Sequence, residues 1–276
     1  MSAATPIRLD RPQVLPAVAT WLVFPLMLAT VAAVTLRLLA SDLPRPLVST
    51  SVLISMVAVF LVLERLSPLH RVWNARPEVS DLLLVVGNRL VDVAVIAGSL
   101  ALVGLLARPR PLWPTEWPLL LQATMGIVIA ELIRYGLHRW SHRPGFLGRV
   151  HHTHHQPQRM YTLNGPRLHP VNQLWITMSN VVPMLLLGAS LDAVILVVNL
   201  TTFFVLFQHS NVRLRFDGYN RLLATPDAHR LHHLRDNQNG RGANYGIVLL
   251  LFDALFGTYA QVNGEPEADA IGPAAA

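Results

Sequence analysis

Cysteine is missing from all 276 residues, and lysine with it, so the 22 basic residues are all arginine. Without cysteine there is no disulfide framework, no thiolate metal site and no cysteine nucleophile, and the redox compartment cannot be read from it. A bound metal would have to be held by nitrogen or oxygen. Charge is also scarce: 14% of residues are charged and 52% are hydrophobic, a balance that does not suit a soluble surface. The net charge of +6 would suggest nucleic acid in a soluble protein. Here most arginines sit between apolar runs, which is the pattern of membrane topology, and no nucleic-acid partner is expected.

A bilayer core of roughly 30 Å takes about 20 apolar residues as a helix. Such windows run from about Ala17 to Leu36, Leu47 to Leu63, Leu82 to Leu106 and Trp117 to Leu137. The first is too long for a signal peptide and has no clear cleavage site, so no processing is expected. The third carries Arg89 and Asp92, three apart, which a helix would bring close enough to pair. A structural pair and a functional one both remain open for them. From Leu174 to Phe207 the apolar run is too long for one span and, with Pro183 and Gly188 inside it, reads as two closely joined helices. The run from Ile247 to Phe256 is too short to cross and should pack on the bundle or lie in the interface. The expected fold is an all-α integral membrane protein of about four transmembrane helices plus a further helical hairpin. Residues 1–276 would form a single membrane domain, with N-terminal spans over about 17–130, a catalytic region over about 131–259 and a flexible tail over 260–276.

Orientation follows from the arginines, because loops rich in them stay cytoplasmic. With the N-terminus inside, the inner segments hold Arg8 and Arg11, then Arg65, Arg71 and Arg76. Six more lie from Arg134 to Arg167 and six from Arg213 to Arg241. Only Arg37, Arg45, Arg108 and Arg110 fall outside. Abundant arginine and alanine without lysine suggest a GC-rich bacterial genome, and hence a multi-pass protein of the bacterial inner membrane.

On that inner side lie most of the twelve histidines. His138 and His142, in HRWSH, are four apart and share a helix face. HHTHH places His151, His154 and His155 at i, i+3 and i+4, and HRLHH repeats the spacing with His229, His232 and His233. Neutral imidazole is a preferred ligand of Fe, Zn, Cu and Ni, whereas interfacial polar residues would not repeat one spacing. Eight such nitrogens exceed the needs of one ion, so two metals follow. His209, in FQHSN, lies at the same face and is taken as a ninth ligand. His169 precedes a proline and is either a tenth ligand or a residue behind the ligands. His152 points away, and His70 lies in a distant loop. Asp227, Asp236, Glu131 and Asp253 are candidates to orient ligand rings, with a helix cap the favoured role for Asp227. Asn244, Tyr245 and Gly246 read as a turn.

These residues resemble the fatty acid hydroxylase/sterol desaturase superfamily of membrane di-iron oxygenases. The resemblance is carried by HRWSH, RVHHTHH, PRLHP, FQHSN, TPDAHRLHH, NYG and FDALFGTY, over about Glu131 to Tyr259, and more weakly by ERLSPLHRVWN with Asp81. Phe252-Asp253 stands where the family commonly has Trp-Asp. The resemblance implies a cytoplasmic histidine cap holding two irons, through His138, His142, His151, His154, His155, His229, His232 and His233, with His209 and His169 matching further family histidines. It implies an oxidoreductase that hydroxylates or desaturates a lipid C–H bond with dioxygen, the lipid being a sterol, a fatty acid or a related molecule. Zinc, which has no redox chemistry, is expected only as a substitute in purified protein. No flavin, haem or iron–sulfur segment is recognisable, so the electrons would come from an external carrier such as a ferredoxin or cytochrome, docked by arginines such as Arg149, Arg230 and Arg235. Two alternatives stay open: a metal-dependent hydrolase or isomerase on the same scaffold, and a non-enzymatic metal-binding membrane protein.

Overall fold

Proline and glycine mark the ends of the apolar runs, because proline has no N–H to give and glycine accepts positive φ. The computed structural model describes residues 17–74, 76–105, 112–216, 218–235, 242–261 and 269–272. Helix α1 covers Ala17–Leu39, and α2 covers Arg45–Leu66 with Pro44 and Pro46 at its start. Helix α3 is Val79–Leu105, and α4 is Leu119–Ser141 behind Pro118. A short α5 (Phe146–His155) precedes α6 (Pro170–Leu187) and α7 (Leu191–His209). Helices α8 (Pro226–His232) and α9 (Leu251–Leu255) follow. Among the described residues β-structure is limited to three isolated bridges, and the chain is all-α as expected.

Five of these helices, α1 to α4 and α7, are long and apolar enough to cross a membrane. The long apolar run divides at Gly188, whose φ of +96° lets Ala189 N–H reach the Met184 carbonyl and close α6. Ser190 then caps α7 by accepting the Ala193 N–H. This is the hairpin expected there. The last apolar run behaves differently: only Leu251–Leu255 is helical, because the Ile247 and Val248 N–H groups are taken by the Glu131 carboxylate of α4 instead. In the segment expected to be a flexible tail, Ile271 is buried against Trp73 and Met160, and Arg235 N–H bonds the Ala270 carbonyl. Residues 262–268 and 273–276 lie outside the described residues, as do Asp236, Arg8, Arg11, Arg108, Arg110 and Arg241.

Helix α7 is the centre of the bundle. Its apolar window is 78% buried, against 6% for α3, which packs on α6 and leaves Leu83, Val86 and Leu90 facing outward as lipid-facing residues do. Phe24 of α1 stacks on Phe207 of α7, with Phe60 and Phe203 beside them. At one end of the bundle, where α2, α4 and α7 finish and α6 begins, buried Glu64 of α2 ties the connections together. It accepts the N–H groups of Thr162 at 2.7 Å and Asn211 at 2.9 Å.

Inside α4, Glu131 and Arg134 form a fully buried ion pair. Arg134 also donates to Asn180 of α6 and Thr201 of α7, so the pair fixes three helices and the 247–248 backbone at once. Breaking a buried pair by deleting one partner costs about 3–5 kcal/mol, because the other charge stays in the dry interior. Arg134→Met is therefore expected to lower the thermal unfolding midpoint of the detergent-solubilised protein sharply. Replacing both residues with apolar ones should recover part of the loss.

Candidate metal centre

Helices α4, α5, α7 and α8 deliver histidines to this face. His138 lies in the last turn of α4 and His142 is its C-cap residue. Helix α5 carries His151, His154 and His155, α7 ends on His209, and α8 carries His229 and His232 with His233 as its C-cap residue. The rings fall into two buried groups, His138, His142, His151, His155 and His232 in one, and His154, His209, His229 and His233 in the other. Within each group the ligand atoms lie within 4.8 Å of one another. Two boxes are split. In HHTHH the i, i+4 pair His151 and His155 serves the first group and His154 the second. In HRLHH the i, i+4 pair His229 and His233 serves the second and His232 the first.

What aims the rings is hydrogen bonding at Nδ1. His138 donates to the Tyr245 carbonyl at 2.7 Å, His151 to Asn172 Oδ1 at 2.7 Å, His209 to the Val205 carbonyl at 2.7 Å and His232 to the Ala243 carbonyl at 3.0 Å. A neutral imidazole that donates from Nδ1 has a bare lone pair on Nε2. The Nε2 atoms converge: His138 Nε2 lies 3.1 Å from His151 Nε2, which is 3.0 Å from His155 Nε2. His209 Nε2 lies 3.1 Å from His154 Nε2 and 3.0 Å from His229 Nε2. Burial pushes His151 and His232 down to about 3, with repulsion from neighbouring rings adding to it. The rings are thus uncharged, and His138 and His151, both donating from Nδ1, face each other with no proton to share. His142 Nε2 is likewise buried and unsatisfied. A cation between such nitrogens satisfies them, and imidazole donors suit iron, zinc or copper.

The other sequence candidates lie elsewhere. His169 is the N-cap residue of α6, accepting the Val171 N–H on Nδ1, and stands outside both groups. His152 is exposed on α5, and His70 packs on Trp73 in the loop after α2. Glu131 and Asp253, offered as partners of the rings, act one step further back. Asp253 accepts the Tyr245 and Gly246 N–H groups at 2.8 Å, and Glu131 accepts the next two, so both clamp the segment whose carbonyls aim His138 and His232. Thr225, rather than Asp227, caps α8; Asp227 pairs with Arg230. Arg230 is itself buried and donates to the Ser210 carbonyl, so it cannot belong to an exposed docking surface. Sequence reasoning missed Asn172. Its one signal is an amide in the first turn of an apolar helix. Gly165 was also missed: a Cβ there would meet the Val205 carbonyl at 2.5 Å and His209 Nδ1 at 3.1 Å.

A narrow cavity of about 100 Å³ leads from this centre into the bundle between α2, α3, α6 and α7. At its inner end are His138, His151, His154, His209 and His229, and further along are Asn88, Arg89, Asp92 and Trp175.

A family model described as "Fatty acid hydroxylase" matches residues 123–258, which contain all nine clustered histidines. The chain is 32% identical over 218 residues to an ornithine lipid hydroxylase of Rhizobium tropici, covering 75% of this chain and 66% of that relative. It is 28% identical over 149 residues to fatty acid hydroxylase domain-containing protein 2 of Homo sapiens, covering 52% of this chain and 40% of the relative. It is 30% identical over 162 residues to an alkylglycerol monooxygenase of Danio rerio, covering 58% and 33%. The chain thus spans less than two thirds of the length of each. No solved structure matches it.

Loss of a group that orients metal-ligating rings typically costs 10–100-fold in metal affinity. Asp253→Ala, which frees the 245–246 backbone, and Asn172→Leu, which frees His151, are each expected to weaken metal binding by about that factor. Competition against a chelator would measure it.

Proposed function

The chain belongs to the fatty acid hydroxylase family, and from that premise we propose that it is a membrane-bound di-iron oxygenase that hydroxylates a lipid. The two converging groups of buried, uncharged imidazoles carry this reading. One iron would be held by His138, His142, His151, His155 and His232, the other by His154, His209, His229 and His233. Bound there, iron supplies the redox chemistry that lets dioxygen attack an unactivated C–H bond. Overall, one oxygen atom enters the C–H bond and the other leaves as water, which takes up two electrons and two protons. The ornithine lipid hydroxylase and the alkylglycerol monooxygenase among its relatives favour hydroxylation over desaturation.

The chain's own residues do the rest. Tyr245, Ala243 and Val205 carbonyls and Asn172 keep the rings neutral and aimed, while the bundle below keeps bulk water away. The cavity shapes the approach. The spans up to about residue 130 form the lipid-facing part of a single membrane domain, and the region from about 131 to 259 carries the chemistry. By the arginine distribution the histidine cap faces the cytoplasm of a bacterial inner membrane. An external carrier, a ferredoxin or a cytochrome, supplies electrons there, with exposed Arg149 available to an acidic partner.

Iron reconstitution is expected to give two ions per chain, falling by about one in His154→Ala and in His232→Ala. With labelled dioxygen, the lipid product should carry the label. Turnover under strict anaerobiosis without a reductant would sink the oxygenase reading and favour hydrolysis by metal-activated water.

A further inference from the structure

Arg89 and Asp92 sit about ten residues into α3, roughly 15 Å along a helix that is otherwise lipid-facing. Ionisable groups at such depth are costly and persist where they face a cavity or a partner. Both line the cavity that opens on the histidines. Their own pairing is loose: Arg89 Nη1 lies 3.8 Å from Asp92 Oδ2. Arg89 Nη2 reaches Thr50 Oγ1 at 3.2 Å and the Pro46 carbonyl at 3.4 Å, while buried Arg89 Nε has no partner. Asp92 Oδ1 is filled by Gln173 and Thr177, which leaves Oδ2 with only the long contact to Arg89. The pair therefore offers one donor side and one acceptor side, a few ångströms apart, with no net charge.

A second, apolar groove begins at the same arginine and continues along Val93, Ile96, Ala97, Leu100 and Ile195. The order along the protein is then histidines, polar pair, apolar groove. A ligand that fills all three carries a polar group partway along, with a hydrocarbon tail beyond it.

We propose that Arg89 and Asp92 form a binding site for a lipid hydroxyl, accepting from the Arg89 guanidinium and donating to Asp92 Oδ2. This rests on the reading of the cavity as the substrate site. A hydroxyl meets both requirements through a single uncharged atom, so it enters the bilayer interior at a smaller desolvation cost than an ionic headgroup. An ether or ester oxygen fills only the arginine side. The favoured substrate is accordingly a hydroxyl-bearing long-chain lipid, held so that the end beyond the hydroxyl faces the histidines.

The test uses the full-length protein in nanodiscs and two probes, 16-bromohexadecan-8-ol and its methyl ether, with binding read from quenching of tryptophan fluorescence. In the unmodified protein the alcohol should bind about tenfold more tightly than the ether, the usual scale for a buried acceptor left unpaired. Asp92→Asn should bring the two probes to within about twofold, whereas Arg89→Met should weaken both alike. Equal binding of the two probes by the unmodified protein overturns the proposal, whether or not either variant folds. So does an alcohol preference that survives in Asp92→Asn. No turnover is involved. Hydroxylated lipid product with no alcohol preference would refute this site alone, and an Asp92-dependent preference without any oxygenated product would refute the oxygenase reading alone.

Discussion

The facing Nε2 lone pairs of His138 and His151, 3.1 Å apart, repel each other unless a cation lies between them. Nine buried imidazoles can share one end of the bundle only while they stay uncharged, and His138, His151, His209 and His232 are also held from behind at Nδ1. That demand explains why so much of the cap is backbone. Carbonyls of Val205, Ala243 and Tyr245 accept Nδ1–H groups, and each comes from a segment fixed by something else. Val205 is fixed by α7, the most buried span, and Tyr245 by the Asp253 and Glu131 carboxylates.

Carboxylates are few, and the buried ones near the cap serve the backbone or arginine. Glu64 collects N–H groups from Thr162 and Asn211, Glu131 those of Ile247 and Val248, and Asp253 those of Tyr245 and Gly246. Glu64 and Glu131 reach segments far away in sequence and Asp253 one close by, and all three serve buried donors that ordinary secondary structure would leave unsatisfied. An imidazole-rich centre follows naturally: the acids that other helical metal sites use as ligands are engaged here in holding irregular chain in place.

The spans have a matching division of labour. Helix α7 is buried along most of its length and supplies His209 at its end, whereas α3 is mostly exposed and contributes chiefly through Asn88, Arg89 and Asp92. A span that buries so little apolar surface gains little from packing on its neighbours, so its polar residues on the α6 side do much to fix its rotation. Asn88, which donates to the Pro166 and Leu168 carbonyls, ties that side to the loop running beneath the histidines.

Much of this was legible in the sequence, because it is written in local patterns. Runs of about 20 apolar residues define spans, Gly188 with Pro183 marks a split, and i, i+3, i+4 spacing puts histidines on one helix face. Those rules act over a few residues, and they named all nine clustered histidines. They could not say how HHTHH and HRLHH divide, because His154 and His232 join the opposite group from their neighbours only when α5 and α8 are brought together by α4 and α7. Nor could they place His169 as the N-cap of α6, cap α8 with Thr225, or find Asn172, whose amide bonds a ring 21 residues away. Sequence determined which side chains stand at one end of the bundle, since helical periodicity is local. Tertiary structure decided which nitrogens face which, because aiming a ring depends on hydrogen bonds from chain that is distant in sequence.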